Sequence, residues 1–130
     1  MRRTLLLPLF LSLAGPAFGQ SATEVIDAQI EALRQGDYET AFTFAAPALH
    51  EIFRTPANFG RMIERGYPMV LDPAEVRYLD HGERAGYEVQ NVLIQDRAGA
   101  VFLLEYLFIG EGPTRRIAGV RLLPETGTGV

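Results

Sequence analysis

The chain has no cysteine, no tryptophan and no lysine, and it has two histidines. Without cysteine there can be no disulfide, no thiol nucleophile, no thiolate metal ligand and no lipid attached through an N-terminal cysteine. The apolar core alone must then hold the fold. Beyond residue 19 the chain has a single serine, Ser21. No G-x-S-x-G elbow therefore exists to present a serine nucleophile. The two histidines, His50 and His81, form none of the H-x-H, H-x-x-x-H or H-E-x-x-H spacings that bind metal, and glycine-rich phosphate loops are missing. No metal and no cofactor is expected. No apolar run is long enough to cross a bilayer as a mature helix.

What is present starts with an export signal. Arg2 and Arg3 precede a short apolar stretch, Leu5 to Leu13, broken by Pro8, and Ala17-Phe18-Gly19 supplies small residues around a cleavage point. Residues 1–19 read as a signal peptide of the general secretory type, with twin-arginine export as the alternative, and the protein is expected in the periplasm or outside the cell. A buried N-terminal helix is the plainer reading, but it does not explain the order of charge, apolar core and small-residue exit. The remainder is expected to be one domain over 20–124 with a frayed tail over 125–130. Removing Arg2 and Arg3 leaves ten arginines against sixteen acidic residues, a net charge of −6. Such a surface repels nucleic acid and anionic lipid, so neither is an expected partner.

The first half carries helix signals. Ser21 with Glu24 matches a capping box, and Ala22, Val25, Ile26, Ile30 and Leu33 form one stripe that ends at Gly36. Asp37 caps a second helix with Ala41, Phe42 and Ala45 inward. Pro47 interrupts it, and a third helix turns Leu49, Ile52 and Phe53 inward. Thr55-Pro56 starts a fourth with Phe59, Met62 and Ile63 inward, stopped by Gly66.

The second half changes period. Strands are expected over 75–81, 87–95, 100–109 and 115–123, with turns at 82–86, 96–99 and 110–114 and a bend at Gly119. Helices followed by an antiparallel meander give an α+β fold: N-terminal helices packed on a curved four-stranded sheet, with a cavity at its wide end. Val92, Ile94, Val101, Leu103, Leu107 and Ile109 are expected on the other sheet face, which is apolar enough for a homodimer surface. Cover by the C-terminal tail is the competing reading.

The segments VIDAQIEALRQGDYETAFTFAAP, FGRMIERGYPMV and RRIAGVRLL resemble a family of short exported bacterial proteins known only as a domain of unknown function. The likeness runs from about Val25 to Leu122. The general shape also resembles the nuclear transport factor 2-like superfamily, which includes ketosteroid isomerase. That resemblance implies a cone-like fold and brings no activity with it, because the superfamily hosts enzymes and binding domains alike.

Three sets of side chains could carry chemistry. Glu105 interrupts the apolar run AVFLLEYLFIG and is the first candidate for a catalytic base; His50 is the second. A turn pairing Gln95 with Ala100 would set Glu105 opposite Gln90, and a last turn pairing Phe108 with Arg116 would set it opposite Gly119 and diagonal to Arg121. Glu105 and Arg121 then read more simply as a structural ion pair, since a neighbouring arginine lowers a carboxylate pKa. His81, alone or with Asp72 or Asp80, reads as a surface residue. The aromatic residues read mainly as core. Tyr38, Tyr67, Phe42 and Phe59 are the ones expected to touch a small apolar ligand. The expected function is a non-catalytic module that binds a small apolar molecule or a protein. The alternative is an isomerase- or cyclase-like enzyme with a cavity carboxylate or histidine as base.

Overall fold

The structure is a computed structural model and describes residues 21–124. The expected leader over 1–19 and tail over 125–130 lie outside the described residues. Four helices come first: α1 (Ala22–Arg34), α2 (Tyr38–Thr43), α3 (Pro47–Phe53) and α4 (Pro56–Gly66). A 3₁₀ turn at Pro68–Val70 leads into the strands β1 (Glu75–Arg84), β2 (Tyr87–Gln95), β3 (Val101–Ile109) and β4 (Arg116–Leu123). The strands form one open antiparallel sheet in the order β1-β2-β3-β4. The fold class is α+β, with the helices packed on one face.

Each helix begins for a local reason. Ser21 Oγ accepts from Glu24 N at 3.2 Å while Glu24 Oε1 accepts from Ser21 N at 3.2 Å, closing the capping box of α1. Gly36 follows with φ +70°, the left-handed conformation that ends α1. Asp37 caps α2 through Thr40 N, and Thr55 caps α4 through Asn58 N, both at 3.1 Å. α3 has Pro47 in its first turn but no side-chain cap. Between α2 and α3 the chain is extended: Ile117 N donates to Phe44 O and Ala46 N donates to Ile117 O, each at 2.8 Å. The segment around Phe44 to Ala46 is thus stitched to β4.

The core joins the α1 stripe (Val25, Ile26, Ile30, Leu33) to the even-numbered residues Val92, Ile94, Leu104, Tyr106 and Phe108 of β2 and β3. Two expectations about the sheet are corrected here. The 96–99 turn was expected to pair Gln95 with Ala100, but Gln95 pairs with Val101. Asp96 N donates to Ala100 O, and Asp96 Oδ1 accepts from Ala98 N and Ala100 N, so the turn consumes Ala100 as well. A one-residue slip moves every side chain to the other face. Val92 and Ile94 are therefore fully buried under the helices, while Val101, Leu103, Leu107 and Ile109 stay on the outer face.

The first hairpin is also tighter than expected. β1 runs on to Arg84, and the turn is only Ala85-Gly86, both with positive φ (54° and 85°), as a type I′ turn requires. Bulges sit between Tyr78 and His81 of β1 and beside Gly119 in β4. Gln90 serves the first of these: its amide donates to the carbonyls of Leu79 (3.2 Å) and Asn91 (3.0 Å) on the core side.

Candidate functional site

A hollow of about 190 Å³ lies between α3–α4 and the β3–β4 half of the sheet. α3 contributes Leu49 and Phe53; α4 contributes Phe59, Met62 and Ile63. Tyr106 of β3 with Ile117, Gly119 and Val120 of β4 forms the opposite wall, and Gln29 of α1 closes one side. Its size falls below the roughly 300–1,000 Å³ of sites for drug-sized ligands. It suits a molecule of one ring.

Three polar side chains reach this wall. Tyr67 donates to Val120 O at 2.8 Å, which ties the exit of α4 to the edge strand. Gln29 occupies the α1 stripe at a position where an apolar residue would pack; its amide nitrogen donates to Ala41 O at 3.1 Å. Tyr106 is buried, and burial together with the nearby Tyr67 pushes its phenol well above the usual tyrosine range. It stays neutral and can donate a proton to a hydrogen bond. Among the described residues no carboxylate and no imidazole lines the hollow.

The residues singled out from sequence are dispersed by the fold. Phe59 and Tyr67 line the hollow. Phe42 stands behind it, stacked on Phe59 at 5.0 Å and on His50 at 3.8 Å between ring centroids. Tyr38 is elsewhere. Its ring lies flat on Gly60 of α4, where a Cβ would come within 2.8 Å, and its hydroxyl donates to Glu64 Oε1 at 2.7 Å. That contact explains a glycine inside a helix and leaves Tyr38 outside the lining of the hollow. His50 borders a shallow surface depression beside Thr114 and Arg116 rather than the hollow.

Glu105 is on the outer face and cannot act as a base in the hollow. It pairs across the sheet with Arg121, whose Nη2 lies 3.0 Å from Oε1, and it also accepts a hydrogen bond from Arg84. It is 6% exposed. Burial opposes its ionisation, but the Arg84 hydrogen bond and the Arg121 charge outweigh that and hold its carboxyl below the ordinary value. Gln90 does not join this cluster, since the register puts Asn91 opposite Glu105. His81 pairs with Glu88 at 2.7 Å, and Glu88 in turn accepts from Arg115 at 2.6 Å. Among the described residues no three histidine, aspartate or glutamate side chains converge as a metal site.

Gln29 and Tyr106 were not selected from sequence as site residues. Gln29 had a readable signal: a polar residue in line with Ala22, Val25, Ile26 and Leu33 on the buried stripe of α1. Tyr106 belonged to the aromatic set read mainly as core, and the outward expectation for Leu103 and Leu107 already implied that it faces the helices.

A family model described as a domain of unknown function (DUF4864) matches residues 18–130, and the chain belongs to that family. No curated protein matches it, and no solved structure does.

Proposed function

We propose that this member of the DUF4864 family is an exported, non-catalytic binding module whose hollow takes a small apolar molecule. The observation that carries the reading is the hollow itself: an apolar space of about 190 Å³ walled by side chains from both layers, with no acid–base pair in it. An isomerase- or cyclase-like mechanism needs a carboxylate or imidazole beside the substrate. Glu105 and His50, the two candidates, both lie outside the lining. Export to the periplasm or beyond belongs to the same proposal and rests on the Arg2-Arg3, Leu5–Leu13 and Ala17-Phe18-Gly19 pattern. So does the nuclear transport factor 2-like cone, supported by a bulged meander with helices on one face. Among the described residues no helix is long and apolar enough to cross a membrane.

The test is a calorimetric titration of the purified mature protein with one-ring aromatics. Saturable binding of one molecule per chain is expected, and Leu49→Trp, which fills the space, should abolish it. Absence of saturable binding to the unaltered protein would overturn the reading.

A second reading has its own observation. The outer face exposes Val101 and Ile109 beside half-buried Leu93, Leu103 and Leu107. We propose that two copies associate through it. Sedimentation equilibrium should give a dimer that Leu103→Arg converts to monomer; a monomer at all accessible concentrations would refute it.

A further inference from the structure

We infer that the ligand of the hollow is uncharged and carries a hydroxyl group, as a phenol or a cyclic alcohol does; this rests on the hollow being a binding site. Two polar atoms in its wall have unused hydrogen-bonding capacity. Tyr106 is 1% exposed, and its hydroxyl makes no hydrogen bond to any described residue. Gln29 is 5% exposed; its nitrogen is held by Ala41 O, which orients the amide and leaves Oε1 with no described partner. Both residues line the hollow, so Gln29 Oε1 and Tyr106 Oη are hydrogen-bonding atoms that its wall can offer a ligand.

Buried polar groups without partners are costly, so native proteins rarely keep them unless something else supplies the partner. Here Tyr106 Oη can donate or accept, and Gln29 Oε1 accepts. A hydroxyl can accept from Tyr106 or donate to Gln29, whereas a ketone or ether can only accept. A charged ligand has nothing to meet it. The lining holds no arginine, histidine, aspartate or glutamate, and an ion taken from water into such a space is strongly disfavoured. Tyr67 adds only an uncharged acceptor, because its proton is already committed to Val120 O.

The experiment compares three para-substituted toluenes, 4-methylphenol, p-xylene and 4-methylbenzoate, on the unaltered protein and on Tyr106→Phe. Removing a hydroxyl that serves no protein partner should leave the melting temperature unchanged or raised. 4-Methylphenol should bind the unaltered protein about tenfold more tightly than p-xylene, the worth of one or two buried hydrogen bonds. Tyr106→Phe should narrow that ratio severalfold without weakening p-xylene. Equal binding of 4-methylphenol and p-xylene would overturn the hydroxyl assignment while leaving the apolar hollow intact. Tighter binding of 4-methylbenzoate would overturn the neutral class. Failure of all three probes would remove the binding reading itself, and a lower melting temperature in Tyr106→Phe would mark the hydroxyl as structural.

Discussion

α1 begins in a capping box and ends with Arg34 held by Asp72 (2.6 Å) and by Pro73 O (2.8 Å). α3 begins at Ala46 with no side-chain cap and ends at Arg54, whose φ is +70°. α1 buries seven residues, Val25 and Ile26 among them, whereas α3 buries none completely. The two helices thus divide the labour of the helical layer. α1 seals the β2–β3 centre and supplies the burial that holds the fold. α3 covers the hollow with Leu49 and Phe53 and is held mainly by its neighbours. Binding elements are commonly drawn from the less stable parts of a fold, since a ligand must enter and leave.

The largest expected contrast is in core truncation. Ile26→Ala should cost about 2–5 kcal/mol of unfolding free energy, because it empties a fully buried position. Ile52→Ala on α3, at a residue 67% exposed, should change it by less than about 0.5 kcal/mol. Urea unfolding of the two variants measures both. Equal losses would erase the distinction between the helices.

Acid sharpens the comparison next. The carboxyls of Glu105 and Asp72 are held below their ordinary values, Glu105 by Arg84 and Arg121 against its burial, Asp72 by Arg97 and Arg34. A depressed folded-state pKa contributes stability that is complete above the unfolded value, about 4 for these groups, and is lost as pH falls through the folded one. Global stability should therefore decline below about pH 4, and Glu105→Gln should flatten the decline. Neither of these two carboxyls lies on α3, so its local opening free energy should stay constant over the same range. Hydrogen exchange corrected for intrinsic rates reads both quantities; parallel decline of the two would contradict the division.

The smallest effect is at the junction of α3 and α4. Thr55 N donates to Phe53 O at 2.8 Å across Arg54, a γ-turn with the central residue at positive φ. Glycine adopts that conformation without steric cost, so Arg54→Gly should stabilise the protein by about 0.5–1 kcal/mol after its greater unfolded entropy is counted. A loss of stability would mean that the arginine side chain anchors α3.

Much of the fold was readable because its signals are local. Ser21 with Glu24, Gly36, Asp37 and Thr55-Pro56 each mark a helix end through contacts within a few residues, and all four do so in the structure. The site was less readable because it depends on non-local register. One residue consumed by the Asp96 turn decides whether Val92 or Leu93 faces the helices, and no pattern within β2 reveals that count. Glu105 stood out as an unusual residue in an apolar strand, and the outward expectation for Leu103 and Leu107 already implied the outer face it occupies. Tyr38 followed a helix-ending glycine, as Tyr67 did, yet the smooth backbone at Gly60 drew its ring away from the hollow.

The central claim is that the weakly held helix covers a receptive space while the outer face of the sheet does not take the same ligand. A ¹⁵N–¹H NMR titration of the mature protein with 4-methylphenol addresses it directly. Saturating shifts should appear at the amides of Phe53, Phe59, Tyr106 and Gly119, with Asn91, Leu103 and Arg121 left in place. Shifts spread over those outer-face amides, or no saturating shifts at all, would contradict it.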